Sequence, residues 1–152
     1  MGDREQLVHA TAVCLGRATA LIRGEPGAGK SDLALRCIAL SPCDLLDTPL
    51  RLLADDYVLL TRQGARLLAR TPATIAGKLE VRGLGVVALP HTPEGDVRLI
   101  VELCEAGRIE RLPDPAATAS LLGVEVPVRR LAPFEASAPL KLALALAGAT
   151  IA

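Results

Sequence analysis

Gly24-Glu25-Pro26-Gly27-Ala28-Gly29-Lys30-Ser31 satisfies every specified position of the phosphate-binding pattern G-x-x-x-x-G-K-[ST]. The apolar run Ala18-Thr19-Ala20-Leu21-Ile22 precedes it, and Leu33-Ala34-Leu35 follows at helical spacing. Strand, loop and helix in that order are what such a cradle requires, because backbone N–H groups and the positive end of the helix must converge on a di- or triphosphate. Lys30 is expected to reach the β- and γ-phosphates, and the Ser31 hydroxyl to ligate Mg²⁺. Gly27 and Gly29 allow backbone conformations that a Cβ forbids.

The 152 residues suit one compact domain burying about two thirds of its unfolded surface. The core has to be aliphatic, since Tyr57 and Phe134 are the chain's two aromatic residues. Base stacking along a nucleic acid therefore has no material, and seventeen basic against seventeen acidic residues leave no net field toward nucleic acid or anionic membrane. Cys14, Cys37, Cys43 and Cys104 form no CxxC or zinc-type spacing. They read as buried packing thiols in a reducing compartment. Met1-Gly2-Asp3-Arg4-Glu5-Gln6 carries no basic start with an apolar stretch behind it, and Gln6 stands where myristoylation wants Ser or Thr. The segment from Leu140 to Ala147 is too short to span a bilayer. A cytoplasmic protein, not bound to membrane or nucleic acid, is the expectation.

Along the chain, Leu7 to Cys14 reads as one strand, and Gly16 turns it into a second strand ending at Arg23. Ser31 to Leu40 reads as a helix closed by Ser41-Pro42. Leu50 to Ala54 is an apolar run ending in two acids, Asp55 and Asp56. Tyr57 to Thr61 resumes as strand, with a hairpin turn at Gln63-Gly64 into Ala65 to Arg70. Residues 71 to 90 read as loop-rich and functional, Val97 to Cys104 as a buried strand, and Ala106 to Pro115 as a surface connection. Val124 to Val128 reads as a strand that Pro127 places at an edge. Glu135 to Ala149 reads as a closing helix with Leu140, Leu144 and Ala147 on its apolar spacing. The sum is one α/β domain over residues 1–152.

Phosphoryl transfer needs a metal on the phosphates and a group that takes the proton from the attacking hydroxyl. Adjacent acids at a strand end can divide those tasks, because successive strand residues face opposite ways. One would hold hydrated Mg²⁺ and the other would contact the acceptor, and the residues alone leave open which does which.

Three further blocks resemble the catalytic domain of HPr kinase/phosphorylase, which phosphorylates a serine of the phosphocarrier protein HPr. His9 lies fifteen residues before Gly24, Leu53-Ala54-Asp55-Asp56 matches an acidic segment, and Leu79-Glu80-Val81-Arg82-Gly83-Leu84-Gly85 matches the family's signature heptapeptide. The resemblance covers about residues 7 to 90. It implies a P-loop kinase domain of the HPr kinase/PEP carboxykinase-like type, a mixed sheet with flanking helices. It implies ATP or pyrophosphate in Gly24 to Ser31, and Mg²⁺ served by Ser31 and Asp55 with support from Glu80. Asp56 would be the general base toward the acceptor serine, and general acid when phosphoserine is attacked by inorganic phosphate. His9 would sit beside the phosphates near Asp56, and Arg82 would organise the signature loop or a subunit contact. Arg111, in Ile109-Glu110-Arg111-Leu112-Pro113, resembles an arginine that stabilises the transferring phosphate. The partner implied is an HPr-like carrier, and the assembly a homo-oligomer, a hexamer in the family. Long members carry an N-terminal domain that this chain is expected to lack, and Val128 to Glu135 departs from their Arg-Pro-Gly-Arg-Asn-like segment.

Two other classes fit a phosphate loop. A small-molecule kinase would need a basic lid, for which only Arg66, Arg70 and Arg82 are at hand. A nucleotide-sensing module would bind without transferring phosphate. A GTPase switch is disfavoured, as no N-K-x-D motif is present.

Overall fold

Ala18–Arg23 is buried at every position but its last, and a strand so placed has both its faces covered. A computed structural model describes residues 4–151, so the reading of Met1 and Gly2 lies outside the described residues. In chain order the elements are β1 (Arg4–His9), β2 (Thr11–Leu15), β3 (Ala18–Arg23), α1 (Lys30–Ile38), β4 (Leu50–Ala54), β5 (Tyr57–Gln63), β6 (Arg66–Arg70), β7 (Lys78–Val81), β8 (Gly85–Ala88), β9 (Glu94–Leu103), β10 (Thr118–Leu121), β11 (Val124–Leu131) and α2 (Ala138–Ile151). Nine strands form one mixed sheet with the central path β1-β5-β6-β9-β3-β2-β4; β11 joins β9 and carries β10 on its other side. β3 and β11 run parallel to β9, whereas β2 and β6 are antiparallel to their neighbours. The α/β class with a mixed sheet and helices against it is therefore as expected.

Alternating side chains build two cores. Val13, Ala20, Ile22 and Val101 pack under α1 and α2 with Leu33, Cys37, Leu142 and Leu146. Ala12, Cys14, Leu21 and Ile100 face the other way, onto Leu53, Val58, Leu60, Leu67 and Val126. One face of the sheet is thus covered by helices and the other by the sheet's own outer strands. A bulge preserves this pattern in β9: Val97 pairs with Thr19 and Leu99 with Ala20, so Arg98 is the extra residue. Arg98 is exposed, and Val97 and Leu99 fall into different cores. Uninterrupted alternation would have put both on one face.

Several local expectations are corrected. The single strand from Leu7 to Cys14 is two, because its halves serve different neighbours: β1 pairs with β5, and β2 with β3 and β4. The break falls at Ala10, whose N–H donates to the Asp56 carbonyl at 2.9 Å. Residues 78–88 form a two-stranded hairpin, with Lys78 opposite Ala88 and Val81 opposite Gly85, inside what read as loop. β10 has no strand signal of its own, because Thr118-Ala119-Ser120-Leu121 is short and polar, and it exists by pairing with β11. Pro127 falls where β11 has β10 beside it but has not yet reached its β9 pairing, which begins at Val128. In α2 the buried face is Ala138, Leu142, Ala143 and Leu146, while Leu144 is exposed. The apolar spacing runs nearly all round that helix, so periodicity alone could not choose the face.

The cysteines divide as well. Cys14 and Cys37 are buried, but Cys43 is exposed and Cys104 half-buried. Burial pushes the Cys14 thiol up to about 11, against its hydrogen bond with Thr19 and the charge of Arg17. Burial likewise pushes Cys37 up to about 12, against Arg36. Thiolates are the reactive form. Iodoacetamide at pH 8 should therefore alkylate Cys43 first and leave Cys14 and Cys37 untouched until the protein is unfolded; peptide mapping by mass spectrometry reads this directly. Among the described residues, no helix is long and apolar enough to cross a membrane.

Candidate active site

Residues 24–29 link the end of β3 to the start of α1. Gly29 caps the helix with φ 100°, a left-handed conformation that disfavours other residues. Gly24 is required for closeness instead: a Cβ there would lie 3.0 Å from the Ala28 Cβ and 3.2 Å from the Leu103 Cβ. No side chain caps the α1 N-terminus, so its first N–H groups are not taken up by a capping residue. Lys30 is nearly buried, and its ammonium donates to the Gly24 carbonyl at 2.9 Å and the Glu25 carbonyl at 3.1 Å. The lysine thus draws the two ends of the loop together and holds a positive charge inside it.

Asp55 and Asp56 lie in the turn joining β4 to β5 rather than within a strand. Strand alternation is therefore not what separates them. Asp56 has φ 66°, and this left-handed residue turns the chain so that the two side chains go to different places. Asp55 is 7 % exposed. Its Oδ1 accepts from the Ser31 hydroxyl at 2.7 Å and the Thr11 hydroxyl at 3.1 Å, and its Oδ2 accepts from the Glu80 N–H at 3.1 Å. Three donors from β2, α1 and β7 are what a carboxylate needs to be held away from water. Asp56 is half exposed, with its Oδ1 3.7 Å from the His9 Nε2. The His9 ring leans on Tyr57, ring centres 5.5 Å apart, and β1 is paired so that His9 lies opposite Tyr57. One peptide unit, ~3.8 Å between Cα atoms, separates this exposed carboxylate from the one bonded to Ser31.

Glu80 comes to the site by its main chain, and its side chain is exposed. Arg82 is exposed in the turn of the β7–β8 hairpin. On the other flank of the loop, Gly24, Glu25 and Ala28 share a cleft of about 750 Å³ with Glu102 to Glu105, Arg108, Pro133 and Phe134. Arg111 lines an adjoining cavity of about 840 Å³ with Asp114, Arg129 and Arg130. Arg108 lines both spaces, so of the two arginines it is the one that borders the phosphate loop. Nothing in the sequence distinguished it from other basic residues of a polar connection. Thr11 likewise carries no signal in the sequence, since an inward-facing strand threonine has no signature before its partner is known.

The donor set suits a small hard cation. Among the described residues, no three His, Cys, Asp or Glu side chains gather into a self-sufficient metal site. Mg²⁺ does not ask for one: it keeps several waters and takes one or two carboxylates, the rest of its shell coming from phosphate oxygens. The Ser31 hydroxyl and the Asp55 carboxylate, 2.7 Å apart beside the loop, fit that role.

A phosphate loop on an inner strand of a mixed sheet, with a buried carboxylate on its helix serine, defines the class as an α/β phosphate-loop domain. A family model described as HPr Serine kinase C-terminal domain matches residues 3–138, and the chain belongs to that family. The HPr kinase/phosphorylase of Chlorobium limicola is 35 % identical over 141 residues, covering 85 % of this chain and 40 % of that protein. One from Chlorobium phaeobacteroides is 33 % identical over 141 residues, covering 85 % of this chain and 41 % of that protein. The chain thus spans about two fifths of the length of these curated relatives. The structure described as the Hpr(Ser) kinase/phosphatase from Coxiella burnetii superposes with a TM-score of 0.79 at 22 % identity, over 96 % of this chain and 97 % of that one. Its fold is the fold described above.

Proposed function

We propose that this chain is the catalytic part of an ATP- and Mg²⁺-dependent protein kinase that phosphorylates a serine of an HPr-like phosphocarrier. The observation that carries the reading is the pair of acids: Asp55 on the Ser31 hydroxyl, and Asp56 next to it, exposed, with His9 at its side. A sensor has use for the first acid and none for the second.

The loop amides of residues 24 to 31 and the Lys30 ammonium bind the nucleotide phosphates. Ser31 and Asp55 hold Mg²⁺, with Glu80 near its waters, and the cation neutralises charge on the phosphate oxygens when bound. Asp56 accepts the proton of the acceptor serine as its oxygen bonds to the terminal phosphorus and the bond to ADP breaks. His9 orients that carboxylate. Arg108, or Arg111 after movement of its connection, offsets the charge spread over the transferring group. In the reverse sense, inorganic phosphate attacks phosphoserine, releases pyrophosphate, and Asp56 returns the proton. A homo-oligomer, hexameric as in the resemblance, acting in the cytoplasm completes the proposal.

The test mixes purified protein with γ-labelled ATP, Mg²⁺ and HPr-like carriers. Label on a carrier serine is the expected result. Bound nucleotide with no labelled acceptor would return the chain to the nucleotide-sensing class.

A further inference from the structure

Of the chain's two aromatic residues, Phe134 has the more peculiar position. It is 73 % exposed, yet its ring stands at the phosphate loop: a Cβ on Gly29 would lie 3.0 Å from the ring's Cζ. A phenyl ring so exposed gains little from burial where it is, and its backbone is firmly held. Arg36 donates to the Pro133 carbonyl through Nη2 and to the Glu135 carbonyl at 3.4 Å, while its own Nε is paired with Asp32 at 2.9 Å. Lys141 pairs with Glu135 at 3.2 Å. Pro133 fixes its own φ. The ring is thus presented to solvent on a segment clamped to α1 and α2, which is how a binding surface is kept ready rather than how a core residue is stored.

The sheet order says what would be presented there. In the series β11-β9-β3-β2-β4, the loop leaves β3. Asp55 and Asp56 follow β4, on one flank, so the end of the nucleotide that reacts lies toward them. The remainder of the molecule has to leave on the opposite flank, over the ends of β9 and β11. There the cleft of about 750 Å³ runs from Gly24 and Ala28 past Cys104 and Arg108 to Phe134, a size suited to a small organic ligand.

Resting on the kinase reading above, we infer that Phe134 is the platform on which the base of the phosphate-donor nucleotide stacks, and that the cleft between it and Arg108 is the nucleoside subsite. Stacking on one aromatic face is tolerant of base identity, so affinity here depends on having a base more than on which base it is.

The experiment compares Mg·ATP with Mg·tripolyphosphate, which has the phosphates and no base, by titration calorimetry on the wild type, Phe134→Ala and Phe134→Trp. The expected result is that Phe134→Ala weakens ATP roughly ten- to a hundredfold and leaves tripolyphosphate unchanged. Phe134→Trp should keep ATP affinity within a few-fold, with indole fluorescence quenched by ATP and not by tripolyphosphate. Equal weakening of both ligands would mean that the ring merely supports Gly29, and unaltered ATP affinity in Phe134→Ala would remove the platform; either outcome overturns the inference and spares the kinase reading. A wild type that binds neither ligand would overturn the kinase reading, and the subsite with it.

Discussion

Asp56→Asn is expected to lower phosphoryl transfer to the acceptor serine by about 10²- to 10⁴-fold, the usual worth of a positioned general base, while nucleotide affinity stays within a few-fold. Asparagine suits the test for a structural reason. Residue 56 has φ 66°, and Asn tolerates the left-handed region about as well as Asp, whereas Ala there would add strain. The Asp56 carbonyl that receives the Ala10 N–H is untouched by the change. Activity should therefore fall without loss of fold, and a thermal melt beside the transfer assay separates the two. Transfer at the wild-type rate in a folded Asp56→Asn protein would remove the base role. Because the residues alone left open which aspartate does which, the result also decides that division of labour.

Asp55 should behave differently. Asp55→Ala leaves the Thr11 hydroxyl, the Ser31 hydroxyl and the Glu80 N–H without their acceptor, and Thr11 is fully buried. A buried donor without a partner costs about 1–3 kcal/mol. Ser31 can turn to water, so a loss of roughly 2–4 kcal/mol is expected, a fall in Tm on the order of 5–15 °C for a chain of this size. Asp55→Asn keeps the shape and one carbonyl oxygen for the two hydroxyls but turns an amide N–H toward the Glu80 N–H, so it should melt between the wild type and Asp55→Ala. Its Mg²⁺-dependent gain in nucleotide affinity should nevertheless drop at least about tenfold, since the anionic oxygen that suits the cation is gone. Calorimetric titration with ATP in Mg²⁺ and in EDTA checks this. Full Mg²⁺ dependence in Asp55→Asn would place the cation elsewhere.

How much of the site was legible depends on how local each feature is. The phosphate loop was, because its glycines, lysine and serine act through backbone geometry within eight consecutive positions. The acids were legible as a pair but for the wrong reason: strand alternation suggested two directions, and a left-handed turn residue supplies them. His9 beside Asp56 was anticipated from resemblance alone. Its physical cause is the pairing of β1 with β5, which sets His9 opposite Tyr57 next to that turn. The α2 face was misread because a helix apolar all round gives no periodic signal, and its neighbours choose the side.

Taken by itself, the chain specified its α/β class, its cradle, and the heptapeptide that ties it to a family, since each is written in contiguous residues whose chemistry acts over short range. What tertiary structure alone decided was which distant groups meet. Sheet order brought Asp55 under Ser31, set Arg108 rather than Arg111 at the cleft, and stood Phe134 over Gly29. Those meetings depend on which strands lie side by side, a matter settled by packing across the whole sheet and invisible to any window of sequence.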